Sequence, residues 1–207
     1  MRRAETPQAG NDQQLLQHSR RRFLFAGAAI AGVTLVRPAG AASRSADDLR
    51  LSVERSGDAI FVSAQAEAGA TLAQAYATLV DYDRLADFIP DMAASRTVAR
   101  TGSSALVEQR GRATFGPFHQ TFSLMLAVEE IPGVAIRAAA AGGDFRRFDA
   151  SYELAAIDAR TTRIDYRAVV EPTAGVPPLV GVAIMRSLIR RQFEAMIGEI
   201  DRRGAVG

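Results

Sequence analysis

Apolar and polar residues alternate in this chain with two different periods. From Pro177 to about Arg203, Val182, Met185, Ile189, Phe193, Met196 and Ile200 recur at steps of three and four, which makes one apolar stripe along a helix. Pro177 and Pro178 suit a first helical turn, and Gly204 is placed to end the helix. Such a helix is about 39 Å long at ~1.5 Å per residue, so a broad surface has to lie under its stripe. From Met92 to Thr173 the period is two, which predicts strands at 93–101, 104–115, 118–130, 134–140, 145–158 and 161–171. Turn signals separate them, among them Gly116-Pro117, Pro132-Gly133 and Gly142-Gly143-Asp144. Connections this short join antiparallel neighbours.

Strand parity predicts a sheet with one wet and one covered face. Phe122, Leu124, Leu126 and Val128 share one parity, as do Val134 and Ile136, and so do Ile164, Tyr166, Ala168 and Val170. Glu108, Arg110, Arg137, Glu153, Asp165 and Arg167 take the other. Upstream, 49–53 and 60–66 alternate around Ser56-Gly57-Asp58, a hairpin or one broken strand. Thr71 is placed to cap a helix that ends near Val80, and Asp81-Tyr82-Asp83 to cap a second, Arg84 to Phe88, stopped by Pro90. Two short helices leave no room for a βαβ crossover. The fold class is α+β, with six to seven antiparallel strands curved around the long C-terminal helix.

The first 41 residues do not belong to that fold. Arg20-Arg21-Arg22 precede an apolar run from Phe23 to Val36, and Ala39-Gly40-Ala41 follows with small residues at a cleavage spacing. The paired arginines before Phe23-Leu24 resemble a twin-arginine export signal. The run of about 14 residues is shorter than the ~20 that span a bilayer. The expected organisation is a removed signal at 1–41, a linker at 42–48 and one domain at 49–204, working in the periplasm or outside the cell. The signal takes six arginines and two acids from the chain's 25 basic and 23 acidic residues, which leaves a formal net charge of −2. A nucleic-acid partner loses its electrostatic basis with it. The absence of cysteine removes disulfides and thiol chemistry.

The order of elements resembles the helix-grip fold of the START-like, or polyketide cyclase/dehydrase, superfamily. The segment Ala75 to Leu85, then Phe88-Ile89-Pro90-Asp91-Met92 and Ser95-Arg96, is similar to its coenzyme-Q-binding branch. The resemblance spans about Leu49 to Arg203. It implies an apolar molecule in a cavity between sheet and last helix, with Tyr82 and Pro90 shaping the turn at the mouth. Branch members bind isoprenoid quinones or lipids, and more distant relatives cyclise polyketides.

The expected cavity lining is Val107, Gln109, Phe122, Leu124, Phe148, Tyr152 and Tyr166 from the sheet. The last helix adds Met185, Ile189 and Phe193, Arg186 stands at the edge of its stripe, and Phe88 stands at the entrance. The alternative is that these residues form a filled core. Gln109, Gln120 and the two tyrosines need polar partners, from a ligand or from one another. Arg186 suits an anionic headgroup or a rim salt bridge. His119 is the one histidine beyond the signal and has the wet parity, so neither a metal site nor a cofactor is expected. Asp81 and Asp83 read as helix caps. Three functions remain open: a non-enzymatic carrier of a lipid, quinone or similar apolar molecule that touches a membrane transiently, with the Asp81–Met92 region moving against the last helix; a cyclase, aromatase or dehydratase; and an adaptor with a filled core.

Overall fold

A computed structural model describes residues 49–115, 118–173 and 178–206, with side chains placed outside 113–119 and 174–180. The signal at 1–41, the linker at 42–48 and the side chain of His119 lie outside the described residues. The hairpin expected at the start is present as β1 (Arg50–Ser56) and β2 (Ala59–Ala68), with Gly57 at positive φ in its turn. Helix α1 (Leu72–Leu79) opens on a capping box. Gln74 donates its backbone N–H to Thr71 Oγ1, and its side chain accepts from the Thr71 backbone. A single 3₁₀ turn (Tyr82–Arg84) leads into α2 (Leu85–Phe88).

The remaining strands are β3 (Met92–Thr101), β4 (Ser104–Phe115), β5 (Phe118–Ile131), β6 (Ala135–Gly143), β7 (Phe145–Asp158) and β8 (Thr161–Pro172). With β1 and β2 they form one antiparallel sheet of eight strands, in the order β1-β2-β8-β7-β6-β5-β4-β3. The strand count exceeds the expected six to seven because β1 and β2 are separate strands. Val134 is a correction: it lies in the β5–β6 turn, 55% exposed, where sheet parity does not apply.

Helix α3 (Pro178–Val206) crosses the concave face. At ~1.5 Å per residue it is about 43 Å long. Its C-terminal half is seated: Phe193, Met196 and Ile200 are essentially inaccessible, and the helix packs on β1, β2 and α1. Gly204 does not end the helix. It is buried, and a Cβ there would stand 2.6 Å from the Gly69 carbonyl oxygen and 2.8 Å from Ala70 Cβ. The glycine lets the helix end press against the chain between β2 and α1, where Asp201 accepts the Gly69 backbone N–H at 2.6 Å.

The sheet is not evenly zipped. β6 and β7 pair only from Ala135–Glu153 to Ala139–Asp149. Beyond that, β6 stays with β5 and β7 with β8. Asp144, the residue that joins β6 to β7, ties both sides of the gap. Its N–H donates to Ser123 O at 2.9 Å, and its carbonyl accepts from Thr173 N at 3.1 Å. No helix among the described residues is long and apolar enough to cross a membrane.

Candidate functional site

Because α3 rests on β1 and β2 at one end of its path, its N-terminal half spans the trough of the sheet without filling it. The space beneath is a cavity of about 850 Å³, within the range of about 300–1,000 Å³ usual for small-molecule sites. Ile184, Met185, Leu188, Ile189 and Gln192 form its roof. Alternate residues of the sheet form the floor, with Ala138 and Ala150 leaving room where larger side chains would close it. These two are cross-strand partners on β6 and β7.

Two aromatic groups shape the space. Tyr152 and Tyr166 are cross-strand partners with ring centroids 4.7 Å apart, and Phe193 supports both, at 6.3 and 5.5 Å. Phe122, Phe145 and Phe148 make a second group of edge-on contacts at 5.9 and 6.0 Å. The Tyr152 hydroxyl accepts from Gln192 Nε2 at 3.3 Å. Burial pushes the phenols of Tyr152 and Tyr166 well above their ordinary range, so both stay protonated. Tyr82 also lines the cavity and donates to Glu130 at 3.0 Å. Burial and that neighbouring carboxylate raise its pKa as well.

The charged lining residues stand at the mouth. Asp91 has φ +65°, its carbonyl accepts from Arg112 N at 2.8 Å, and its carboxylate accepts from Arg191 on α3 at 2.9 and 2.7 Å. This pair ties the turn before β3 to the roof. Gly111 makes the turn possible, since a Cβ there would stand 2.8 Å from Asp91 O and 2.5 Å from Phe122 Cζ. Asp144 accepts the Ser123 N–H at 2.7 Å, and Arg110 pairs with Glu108.

The structure gathers nine of the twelve expected lining residues around this space. Val107, Gln109, Phe122, Leu124 and Phe148 lie on the wall, Tyr152 and Tyr166 on the floor, and Met185 and Ile189 on the roof. Three lie elsewhere. Phe193 is buried behind the tyrosines. Phe88 is not at the entrance but packs under the Arg203 guanidinium, 5.8 Å from its ring, near the end of α3. Arg186 is exposed and makes no ion pair among the described residues. Asp81 and Asp83 are not helix caps either. Asp81 makes no side-chain cap and accepts from Arg203 at 3.0 Å, while Asp83 accepts from Thr97 N at 2.6 Å and from its hydroxyl at 3.0 Å.

Gln192, Phe145 and the Asp91–Arg191 pair are not among the expected residues. Gln192 lies three residues beyond Ile189, on the same helical face, so spacing alone could have found it. Phe145 escapes strict alternation because a register shift between Phe145 and Arg147 turns it toward Phe148. No group of His, Asp and Glu suited to a metal ion occurs among the described residues.

A family model described as polyketide cyclase/dehydrase and lipid transport matches residues 68–197. Among solved structures, the chain is similar to a STAR-related lipid transfer protein from Xanthomonas axonopodis, with a TM-score of 0.61 at 14% identity over 76% of this chain and 96% of that one. It is similar to a START superfamily protein from Mycobacterium smegmatis, with a TM-score of 0.61 at 15% identity over 69% and 97%. It is also similar to the Zhui aromatase/cyclase from Streptomyces, with a TM-score of 0.60 at 14% identity over 70% and 95%. No curated protein matches the sequence.

Proposed function

This chain belongs to the polyketide cyclase/dehydrase and lipid transport family, and from there we propose that it is a carrier of a hydrophobic small molecule, a lipid or an isoprenoid quinone, held between sheet and α3. The observation that carries this is the cavity of about 850 Å³, walled by apolar side chains and closed over by a helix anchored at its far end. Each 100 Å² of apolar ligand surface removed from water there contributes about 2.5 kcal/mol. That gain needs no reacting group.

An enzymatic role that begins with proton abstraction needs a base near the ligand. The phenols inside are held protonated by burial. The lining carboxylates, Asp91 and Asp144, are both engaged at the mouth. The interior therefore suits holding better than proton abstraction. The twin-arginine pattern at 1–41 supports work beyond the inner membrane, with transient membrane contact for exchange. Opening would part the Asp91 turn from Arg191. Organic extraction of protein purified after export from its own host, followed by mass spectrometry, should recover a stoichiometric apolar molecule. Empty protein that also takes up nothing from vesicles would refute the proposal.

A further inference from the structure

The floor of the cavity carries a concentrated polar spot. Gln192 donates to the Tyr152 oxygen, so the Tyr152 proton is still available to a third group. Tyr166 is 3% exposed, lines the cavity, and its hydroxyl makes no hydrogen bond among the described residues. The hydroxyl is not sealed in protein but reaches the cavity space, where a ligand atom can accept its proton. The rest of the lining is mainly apolar, with Gln109, Gln120, Thr121, Thr173 and Tyr82 as its other uncharged polar members. Its charged members, Asp91, Arg110 and Asp144, all reach solvent at the mouth. An anionic headgroup drawn down to the tyrosines would lose its hydration and meet no cation. A carbonyl oxygen has two lone pairs, which match two neutral phenol donors.

We infer that Tyr152, Tyr166 and Gln192 form a receptor for one uncharged carbonyl oxygen, so that the protein takes neutral ketone- or quinone-like amphiphiles and rejects the carboxylate of the same chain length. The inference rests on the carrier function proposed above and narrows its ligand. Burial keeps both phenols in the donating form across the physiological range.

The test uses the delipidated protein loaded with a solvatochromic dye. The dye is displaced with a long-chain methyl ketone, the fatty acid and the hydrocarbon of matched length. At neutral pH the ketone should displace dye at least tenfold more tightly than the fatty acid. That gap should close as the buffer falls below the acid's own pKa and the acid becomes neutral. Tyr166→Phe should weaken the ketone by about three- to tenfold, the worth of one hydrogen bond, and leave the hydrocarbon unchanged. The carbonyl stretch of the bound ketone should lie below its value in hydrocarbon solvent and move back toward it in Tyr166→Phe, a readout that slight changes in stability do not imitate. A carboxylate that binds as tightly as the ketone at neutral pH overturns the inference, as does a ketone indifferent to both Tyr152→Phe and Tyr166→Phe, while carriage of apolar molecules would stand. Failure of all three probes would bring down the carrier function itself.

Discussion

Replacing Ala138 with leucine asks directly whether the space beneath α3 is hollow. Ala138 lies in β6 between Val128 of β5 and Ala150 of β7, and its side chain lines the cavity. Leucine adds three carbons. At ~0.8 kcal/mol for each buried methylene-sized group they contribute at most about 2.4 kcal/mol, against ~0.5–1 kcal/mol of lost rotamer freedom. The expected net is a stabilisation of roughly 1–2 kcal/mol, which raises Tm by about 2–8 °C in a protein of this size. A filled core answers with the opposite sign, because overpacking costs ~1–3 kcal/mol. Calorimetry on ligand-stripped protein gives the first number, and dye titration at fixed temperature gives the second. Tm should rise while dye capacity falls. A Tm several degrees lower with uptake unchanged would refute the hollow and the carrier function with it.

Three further outcomes follow from individual contacts. Asp91→Asn keeps a residue that tolerates positive φ but removes the charge facing Arg191. The pair is partly exposed, so unfolding free energy should change by no more than about 1 kcal/mol, while stopped-flow release of bound dye should quicken severalfold; an unchanged rate would show that the mouth opens elsewhere. Hydrogen bonds from Arg202 and then Arg203 hold the Glu199 carboxyl down at about 2, below its ordinary 4.5. Its stabilisation is therefore complete above ~pH 4.5 and lost as pH falls toward ~2, so Glu199→Gln should be less stable at neutral pH and show a flatter acid limb in denaturant titrations. Gly204→Ala drives a Cβ into Gly69 and Ala70 and should cost about 1–3 kcal/mol by urea unfolding, although alanine is the better helix former.

The periodicities carried most of the fold because the sheet is covered on one side only. Ile164, Tyr166, Ala168 and Val170 are all buried, as alternation requires. The α3 stripe was legible for the same reason, and Met185 and Ile189 fell where its spacing puts them. Alternation failed where the backbone adds a residue, which is how Phe145 joined the cavity wall. Local rules also failed where a polar residue found a distant partner. Asp81 looks like a helix cap in its own segment, yet it meets Arg203, 122 positions away. Gly204 resembles a helix terminator until Gly69 and Ala70 are placed against it. Fold-level pattern lies in neighbouring residues, whereas the Asp91–Arg191 pair, the buried glycine and the tyrosine spot depend on how remote segments meet.

The parting of β6 from β7 gives this container a seam. Past the Ala139–Asp149 rung its two margins pair with different neighbours, and they meet again at the chain turn Gly143-Asp144-Phe145, where Asp144 bonds twice to Ser123 and once to Thr173. The slit is thus a gap closed at both ends, by the ladder on one side and by the turn on the other, with no β6–β7 rung along its middle. Phe145 and Phe148 ride on one margin, and Phe122 faces them from the strand that holds the other. A guest that presses on the wall there displaces side chains without breaking a backbone hydrogen bond between β6 and β7.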